Sequence, residues 1–526
     1  MIRRPLALVL LLPALAHAEG APRYNDPPPM VRRSPLAARL EELAQRVARF
    51  EGRDVPAVDP RIELACAALL PLLPDDGGPP DNALVEEALR LQGVVEPSPH
   101  LVIAGAAEGG EESLFDELSA RLPAVLKQGR YRRMGVGVAP DPSPGRLRIL
   151  LAFQESFVEL QPVPRQIPAG GAAVLEGQLV APYQSPSVLV THPDGAVTRA
   201  AVEVDGARFR AAARCGAAPG RYQVEINAID RFGPSVLANF PIYCGVSAPS
   251  RLAAFSAPPE RPWVDVADAE AQLFALLNQD RARAGLPLLA ADERLAAIAR
   301  AHSEDMRAHG FVGHVSPTTG SADDRLRRAG YPATLVLENV GRAWSPGEAE
   351  RGLMDSPGHR ANIVSTAVER VGVGAAISVG ARGERELLVT QLFAHVPRPF
   401  DALRTPAELR RRLDTIRRGA ARAPFTEDRA LDEVALEVAR GIVAGRLAPE
   451  QPGAPVQAAL PKLSDRYRSL RTVVIPRASE VDQIGPTPTL TDGRVTHAGV
   501  AAVPLGRSKD GDPPGFCLVL ILGVHR

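Results

Sequence analysis

A similar order of sequence features occurs three times along this chain. Each time, an amphipathic helix ends at a glycine, an Asp-containing turn opens a second helix, and two strands follow, the first of which contains glycine. The recurrence predicts three modules of one kind, at residues 35–165, 262–397 and 403–526. An alternative stays open, because any two helices followed by two strands would show the same order.

The stretch at 166–248 has a different pattern. Its short runs are separated by Pro and Gly, and in one run Tyr222, Val224 and Ile226 alternate with polar neighbours. Such spacing predicts a small all-β, Ig-like sandwich. Residues 249–262 are rich in proline and are interpreted as a linker. The fold class predicted for the whole chain is therefore α+β.

The N-terminus has the three parts of a secretory signal. Arg3 and Arg4 form a charged region, an apolar run covers 5–15, and small residues at 16 and 18 give a cleavage site. An uncleaved anchor is the alternative, but this run is too short to span a bilayer, and no later run reaches about 20 residues. We therefore predict a signal peptide at 1–18 and a protein that is secreted, periplasmic or extracellular, with no membrane span.

Export would permit disulfide bonds, and the chain has four cysteines. Cys215 and Cys244 both fall in the strand-rich stretch, and we predict that they form a bridge. Cys66 lies in a helical pattern and Cys517 in an apolar run. Each of these two is interpreted as a small buried hydrophobe.

The charge balance argues against one class of partner. The chain has 61 basic and 61 acidic residues, so its formal net charge is +0. Because no broad basic field is available to hold a phosphate backbone, nucleic acid is not an expected partner.

Three short stretches of the second module contain the residues that could do chemistry. They read Phe-Val-Gly-His-Val-Ser-Pro at 311–317, Leu-Glu-Asn-Val-Gly at 337–341 and Ser-Pro-Gly-His-Arg-Ala-Asn-Ile at 356–363. With the glycine-containing strand at 371–374 and the ending Thr-Gln-Leu-Phe at 390–393, they resemble a CAP-superfamily domain of the bacterial SCP-like kind. The resemblance implies an α-β-α sandwich for this module, with degenerate CAP-like modules on either side of it.

The resemblance also implies a cavity lined by two histidines and acidic residues, which binds a divalent metal in some members. Carried over by position, the histidines are His314 and His359, and the acid is Glu338, with Asn339 beside it. Neither outer module has these motifs at the matching places. The cluster is therefore expected in the central module alone.

Two departures from the family pattern lie just before the second histidine. Ser356 occupies the position where many members have a second glutamate, and Leu353 replaces a tryptophan. Asp355 is adjacent but would point in another direction on a helix. The predicted cavity and ligand-binding set is His314, Glu338, His359, Asn339, Asp355 and Ser356.

Two neutral imidazoles and one carboxylate form a ligand set typical of zinc or another divalent metal, with a fourth position for water. A metal held by His314, His359 and Glu338 could activate that water or polarise a carbonyl. The alternative is that these side chains hydrogen-bond one another and fix the loops around a cavity. The sequence leaves both open.

Two other features of the central module are interpreted as structural. His302 and His309 share one helix face two turns apart, as solvated or structural histidines do. Gly372 and Gly374 suit close packing of a strand, and no helix start follows them as it would in a phosphate loop.

Two functions follow as hypotheses. The first is a binding or scaffold protein of the cell envelope or exterior, whose ligand is a lipid or a cell-wall glycan or peptide. The second is a metal-assisted hydrolase that acts on peptide or cell-wall substrates. No catalytic residue is assigned on the sequence alone.

Overall fold

The structure is a computed structural model that describes residues 23–27, 34–74, 78–107, 109–252, 260–379, 385–398, 400–505 and 515–526. The signal peptide predicted at 1–18 and much of the predicted linker lie outside the described residues. The chain divides into two compact units. The first consists of 1–261 with 354–360, and the second of 262–353 with 361–526.

The N-terminal module has helices on both faces of a four-stranded sheet. Residues 149, 151 and 153 of one strand pack with the first and fourth helices, whereas 150 and 152 pack with the second and third. Side chains alternate between the two faces of a strand, which produces these α-β-α layers. The helices are Pro35–Phe50, Pro60–Leu69, Asn82–Leu91 and Glu111–Leu126, and the strands, in sheet order, are Ala57–Val58, Arg133–Pro140, Arg146–Gln154 and His100–Ala107.

The stretch after this module forms two β-sheets that share one apolar core. The strand Val158–Leu160 pairs with Ala172–Leu179, so the β structure begins before the predicted boundary at 166. Two short neighbouring strands, Val197–Ala200 and Val202–Asp205, lie in different sheets. The sheets have the orders Val197–Ala200, Gln184–Thr191, Gly220–Asp230, Gly233–Cys244 and Gln166–Ile167, and Val202–Asp205, Arg208–Arg214, Ala172–Leu179 and Val158–Leu160.

The predicted disulfide is confirmed. Cys215 and Cys244 are bonded, and their Cα atoms are 6.1 Å apart. Cys66 and Cys517 are buried free thiols, as expected for cysteines that pack as small hydrophobes. Burial raises the pKa of the Cys66 thiol to about 12, so this group stays protonated at neutral pH.

The central module has the same kind of sheet. Asp292 caps its second helix, and the carboxylate accepts hydrogen bonds from the backbone N–H groups of Arg294 and Leu295. Such a cap satisfies donors that the first turn leaves without partners. The helices are Val266–Arg283, Glu293–His309, Ala322–Arg328, Pro346–Asp355 and Pro357–Ile363, and the strands, in sheet order, are Ala290–Ala291, Arg370–Val379, Arg385–His395 and Leu335–Ala343.

Two glycines of the central sheet let the second helix approach closely. A Cβ atom at Gly372 would lie 2.2 Å from the backbone nitrogen of Ala296, and one at Gly374 would lie 2.0 Å from that of Arg300. No side chain fits in this space, because atoms so close overlap strongly. These glycines therefore pack a strand against a helix, as the sequence predicts.

The C-terminal module ends the chain. Its first helix packs on one face of the sheet, and the next two helices pack on the other. The helices are Arg404–Gly419, Arg429–Val443, Gly453–Ala459 and Pro488–Thr491, and the strands, in sheet order, are Thr426–Glu427, Val495–Pro504, Phe516–His525 and Tyr467–Ala478.

The three helical modules have one sheet topology. In each, a two-residue edge strand runs parallel to its neighbour, and the other two strand pairs are antiparallel. None of the helices in the described ranges is long and apolar enough to cross a bilayer.

Candidate functional site

Glu338 lies at the centre of a buried charged cluster in the central module. Its side chain is held by two partners, the Arg325 guanidinium on one carboxylate oxygen and His314 Nδ1 at 2.9 Å from the other. The side chains of Glu338 and Arg325 are each only 5% exposed. A buried ion pair with this geometry satisfies a carboxylate that would otherwise be costly to bury.

Arg325 also fixes the loop that carries His314. Its guanidinium donates to the carbonyl oxygens of His314, at 3.2 Å, and Gly320, at 2.8 Å. The Arg325 guanidinium therefore holds both the Glu338 carboxylate and the backbone of the His314 loop in position. This cluster of His314, Arg325 and Glu338 is called the Glu338 clamp below.

A second set of contacts stiffens the His314 loop. Asp305 accepts hydrogen bonds from the hydroxyls of Ser316 and Thr318, and the latter bond is 2.8 Å long. Burial alone would raise the pKa of Asp305, but these hydrogen bonds lower it below its usual range. Asp305 is therefore ionised at neutral pH and serves as a fixed acceptor for the loop.

Asn339 belongs to a buried network of side-chain hydrogen bonds. Its Nδ2 donates to Gln391 Oε1 at 2.9 Å, and Gln391 Nε2 donates to Glu350 Oε2 at 2.8 Å. Asn362 Nδ2 lies 2.9 Å from Asn339 Oδ1 and 3.0 Å from the carbonyl oxygen of Glu338. Burial raises the pKa of Glu350 to about 8, so this acid is mostly neutral at pH 7. We call these residues the Asn339 network.

Asp355 and Ser356 have other partners. The Asp355 carboxylate accepts hydrogen bonds from Arg90, at 3.1 Å, and Arg221, at 2.9 Å. Ser356 donates its hydroxyl hydrogen bond to Glu225. All of these residues belong to the first compact unit.

The structure thus brings together some of the predicted site residues. His314, Glu338 and Asn339 lie side by side in the second unit, whereas His359 lies in the 354–360 segment with Asp355 and Ser356. A cavity that joins His359 to the clamp stays a prediction.

The donor set does not fit the three-ligand metal site that the resemblance implies. Both carboxylate oxygens of Glu338 already have partners, one of which is a buried cation. Across the described ranges, no group of three or more His, Cys, Asp or Glu side chains could hold a metal ion. Zinc or another divalent metal at this site stays a prediction.

Sequence analysis did not identify Arg325, Glu350 or Glu225 as site residues. Arg325 and Glu350 occur in helices among many charged residues, so nothing local marks them as buried. Glu225 had one usable signal, because it alternates with apolar residues in a strand whose polar face is itself buried.

Of the histidines predicted to be structural, His302 is buried with its Nε2 2.9 Å from the carbonyl oxygen of Gly313.

Residues 274–393 match the model of the CAP family, described as the cysteine-rich secretory protein family. Two curated relatives from Bacillus subtilis (strain 168) are similar to part of the chain. The uncharacterized protein YkwD is 36% identical over 106 residues, and the uncharacterized membrane protein YlbC is 34% identical over 107 residues. Each alignment covers 20% of this chain, and they span only 41% and 31% of the respective relatives.

One similar solved structure is an extracellular protein from Bacillus anthracis str. Ames that contains an SCP domain. The similarity covers 44% of this chain and 84% of that chain, at 20% identity and a TM-score of 0.22.

Proposed function

This chain belongs to the CAP superfamily through its central domain, and from that membership we propose that it is an exported binding or scaffold protein of the cell envelope. The observation that carries the proposal is the Glu338 clamp. A catalytic carboxylate must be free to take a proton or to hold a metal. Here both oxygens of Glu338 are occupied, one of them by a buried guanidinium.

The clamp supports recognition by fixed polar groups. Arg325 and Glu338 hold each other in one geometry, and the side chain of His314 is 20% exposed beside them. A rigid histidine with polar neighbours suits a ligand that offers hydroxyl and amide groups, because a binding site loses little entropy when its side chains are already ordered. We therefore assign a cell-wall glycan or peptide as the ligand class, in preference to a lipid.

Two further features support the exported, multi-module character. A structural disulfide between Cys215 and Cys244 is typical of an oxidising compartment, which agrees with the signal peptide predicted at 1–18. We also infer that the three helical modules are copies of one ancestral module, because their sheets have the same strand order and pairing directions. The outer copies would then serve as packing or recognition surfaces.

A sedimentation experiment tests the binding role. The full mature chain is mixed with purified peptidoglycan, and the bound fraction is compared with that of His314→Ala and of a matched control, His395→Ala. His395 is a partly exposed histidine of the same module that pairs with Glu369. We expect His314→Ala to bind at least fivefold more weakly and His395→Ala to bind as the wild type does. Equal binding by all three, or binding to lipid vesicles only, would refute the assignment.

The hydrolase is the second candidate, and one observation favours it. His314 contacts the Glu338 carboxylate through Nδ1, so the other imidazole nitrogen, Nε2, could still contact a substrate. Incubation with peptidoglycan and peptides, with and without added zinc, distinguishes the candidates. Release of new reducing ends or amino groups by the wild type, but not by His314→Ala, would replace the binding role with catalysis.

A further inference from the structure

The histidine-bearing turn of the CAP motif is hydrogen-bonded to residues of the β-sandwich. Its segment, 354–360, belongs to the first compact unit together with the sandwich, whereas the residues on either side of it belong to the second. We propose that the β-sandwich holds this turn in its working conformation, with Glu225 as the positioning residue. The inference rests on the proposed function, because the turn carries His359.

Glu225 is a fully buried carboxylate on the sandwich strand Gly220–Asp230. One of its oxygens accepts the hydroxyl hydrogen bond of Ser356, and the other accepts the backbone N–H of Gly358 at 3.0 Å. Asn227 Nδ2 also donates to Glu225, at 2.6 Å. Two of the three donors belong to the turn. A buried carboxylate without such donors would be strongly destabilising, so the turn and the acid depend on each other.

The glycine of the Ser-Pro-Gly-His sequence has a physical explanation in this contact. A Cβ atom at Gly358 would lie 2.8 Å from Glu225 Oε1, which is closer than a carbon and an oxygen approach without repulsion. Glycine at this position therefore lets the backbone nitrogen donate to Glu225 at 3.0 Å without a shift of the carboxylate, whereas a larger residue would require the Glu225 side chain to move.

Contacts on both sides of the turn complete its attachment. Before it, the Asp355 carboxylate is held by Arg90 at 3.1 Å and Arg221 at 2.9 Å. After it, Arg360 Nε donates to the carbonyl oxygen of Gly195 at 3.1 Å. The Asp355 pairs are partly exposed and contribute modestly, whereas the Glu225 bonds are buried and should dominate.

Hydrogen exchange of the full chain tests this inference. In Glu225→Ala, the Gly358 amide and the Ser356 hydroxyl lose their acceptor, and we expect amides in residues 357–362 to exchange at least tenfold faster than in the wild type. Glu225→Gln keeps a side-chain oxygen of the same length, so it should recover most of the protection. The matched control is Glu176→Ala, which removes a half-exposed carboxylate of the same sandwich that pairs with Arg210. This control should leave 357–362 unchanged.

The peptidoglycan assay, run on the same variants, separates the two proposals. We expect Glu225→Ala to bind about tenfold more weakly, with recovery in Glu225→Gln. Unchanged exchange of 357–362 in a folded Glu225→Ala protein would overturn the positioning role. If Glu225→Ala does not fold, Ser356→Ala is the alternative variant, because it removes one donor without altering the sandwich. It should speed hydrogen exchange of the turn at least threefold. Exchange at the wild-type rate in Ser356→Ala would also overturn the positioning role. Faster exchange in a protein whose wild type does not bind peptidoglycan would support the positioning role and reject the binding function.

Discussion

The central module and the two outer modules have the same sheet topology but differ in two neighbouring rows of residues across it. The modules can be matched at the glycine where the second helix crosses the sheet, which is Gly135, Gly372 or Gly499. In each case a Cβ atom would overlap the helix backbone, at distances from 2.0 to 2.5 Å. The strand registers then identify the residues that occupy equivalent places on the neighbouring strands.

In the central module, these places hold Glu338, Asn339 and Gln391, which belong to the clamp and the network. The corresponding residues are Leu101, Val102 and Leu151 in the N-terminal module and Thr472, Val473 and Leu520 in the C-terminal module. Five of these six outer residues are apolar. A sheet of this topology therefore forms with apolar residues at these places, and the fold alone does not require polar groups there.

The largest expected effect comes from breaking the clamp. Arg325→Ala leaves the Glu338 carboxylate buried beside one partly exposed histidine, and the loss of one partner from a buried ion pair costs about 3–5 kcal/mol of unfolding free energy. Both tryptophans of the chain, Trp263 and Trp344, lie in the second unit, so denaturant unfolding followed by tryptophan fluorescence reports this loss.

Two variants provide the comparison for the Arg325 prediction. Arg325→Leu combined with Glu338→Leu imitates the leucine of the N-terminal module and should recover most of the lost stability. Arg327→Ala, on the exposed side of the same helix, should change stability by under about 1 kcal/mol. If the double variant is no more stable than Arg325→Ala, the place of Glu338 cannot be filled by the leucine of the N-terminal module.

The second effect tests the shared glycine. Gly372→Ala places a methyl group against the helix backbone, and such overpacking costs about 1–3 kcal/mol. Gly499→Ala should cost a similar amount in the C-terminal module, measured by circular dichroism during denaturation. Gly352→Ala is the control, because nothing lies within 4 Å of a Cβ atom there. A Gly372→Ala protein as stable as this control would show that the glycines do not mark equivalent positions.

The third effect is a dependence of the stability of the central module on pH, which arises from Glu350 in the Asn339 network. Burial raises the pKa of Glu350 to about 8, so the folded state binds a proton that the unfolded state releases at lower pH. This contribution to stability is present at acidic pH and is lost as the pH rises from about 4.3, the unfolded value, towards 8. Glu350→Gln should flatten the fall in tryptophan-monitored stability between pH 5 and pH 8. An unchanged pH profile would contradict the assignment.

The smallest effect lies at the end of the central sheet. His395 Nδ1 is 2.7 Å from Glu369, and its Nε2 is 3.1 Å from Glu480 of the C-terminal module. Burial lowers the pKa of His395, but the two carboxylates raise it by a larger amount, so the pKa in the folded state lies above its usual value. The stability that the charged His395 contributes is fully present below about pH 6.5, and it is lost as the pH rises through the folded-state pKa.

Because His395 and both acids are partly exposed, the expected stability change between pH 6 and pH 8 is under about 1 kcal/mol. His395→Gln should remove it, as denaturation midpoints at the two pH values would show. A midpoint shift that is the same in the wild type and in this variant would assign the pH dependence to other groups.

The order of the two helices and two strands in each helical module could be predicted because it depends on periodicities within the sequence. These elements are present in that order, and the Asp292 cap marks a helix start by local chemistry. The motif histidines and Glu338 could be named by resemblance. Their partners could not, because Arg325 is one arginine among many, and only its place against the sheet makes it a buried cation.

The sequence by itself determined the order of helices and strands, the bridge between Cys215 and Cys244, and the motifs that assign the central domain to its family. Only the tertiary structure decided which charges meet. Glu225 and Ser356 are separated by 131 residues, yet they share a buried hydrogen bond. Periodicity and capping act within a few residues, whereas the energy of a buried charge depends on distant groups that folding places beside it.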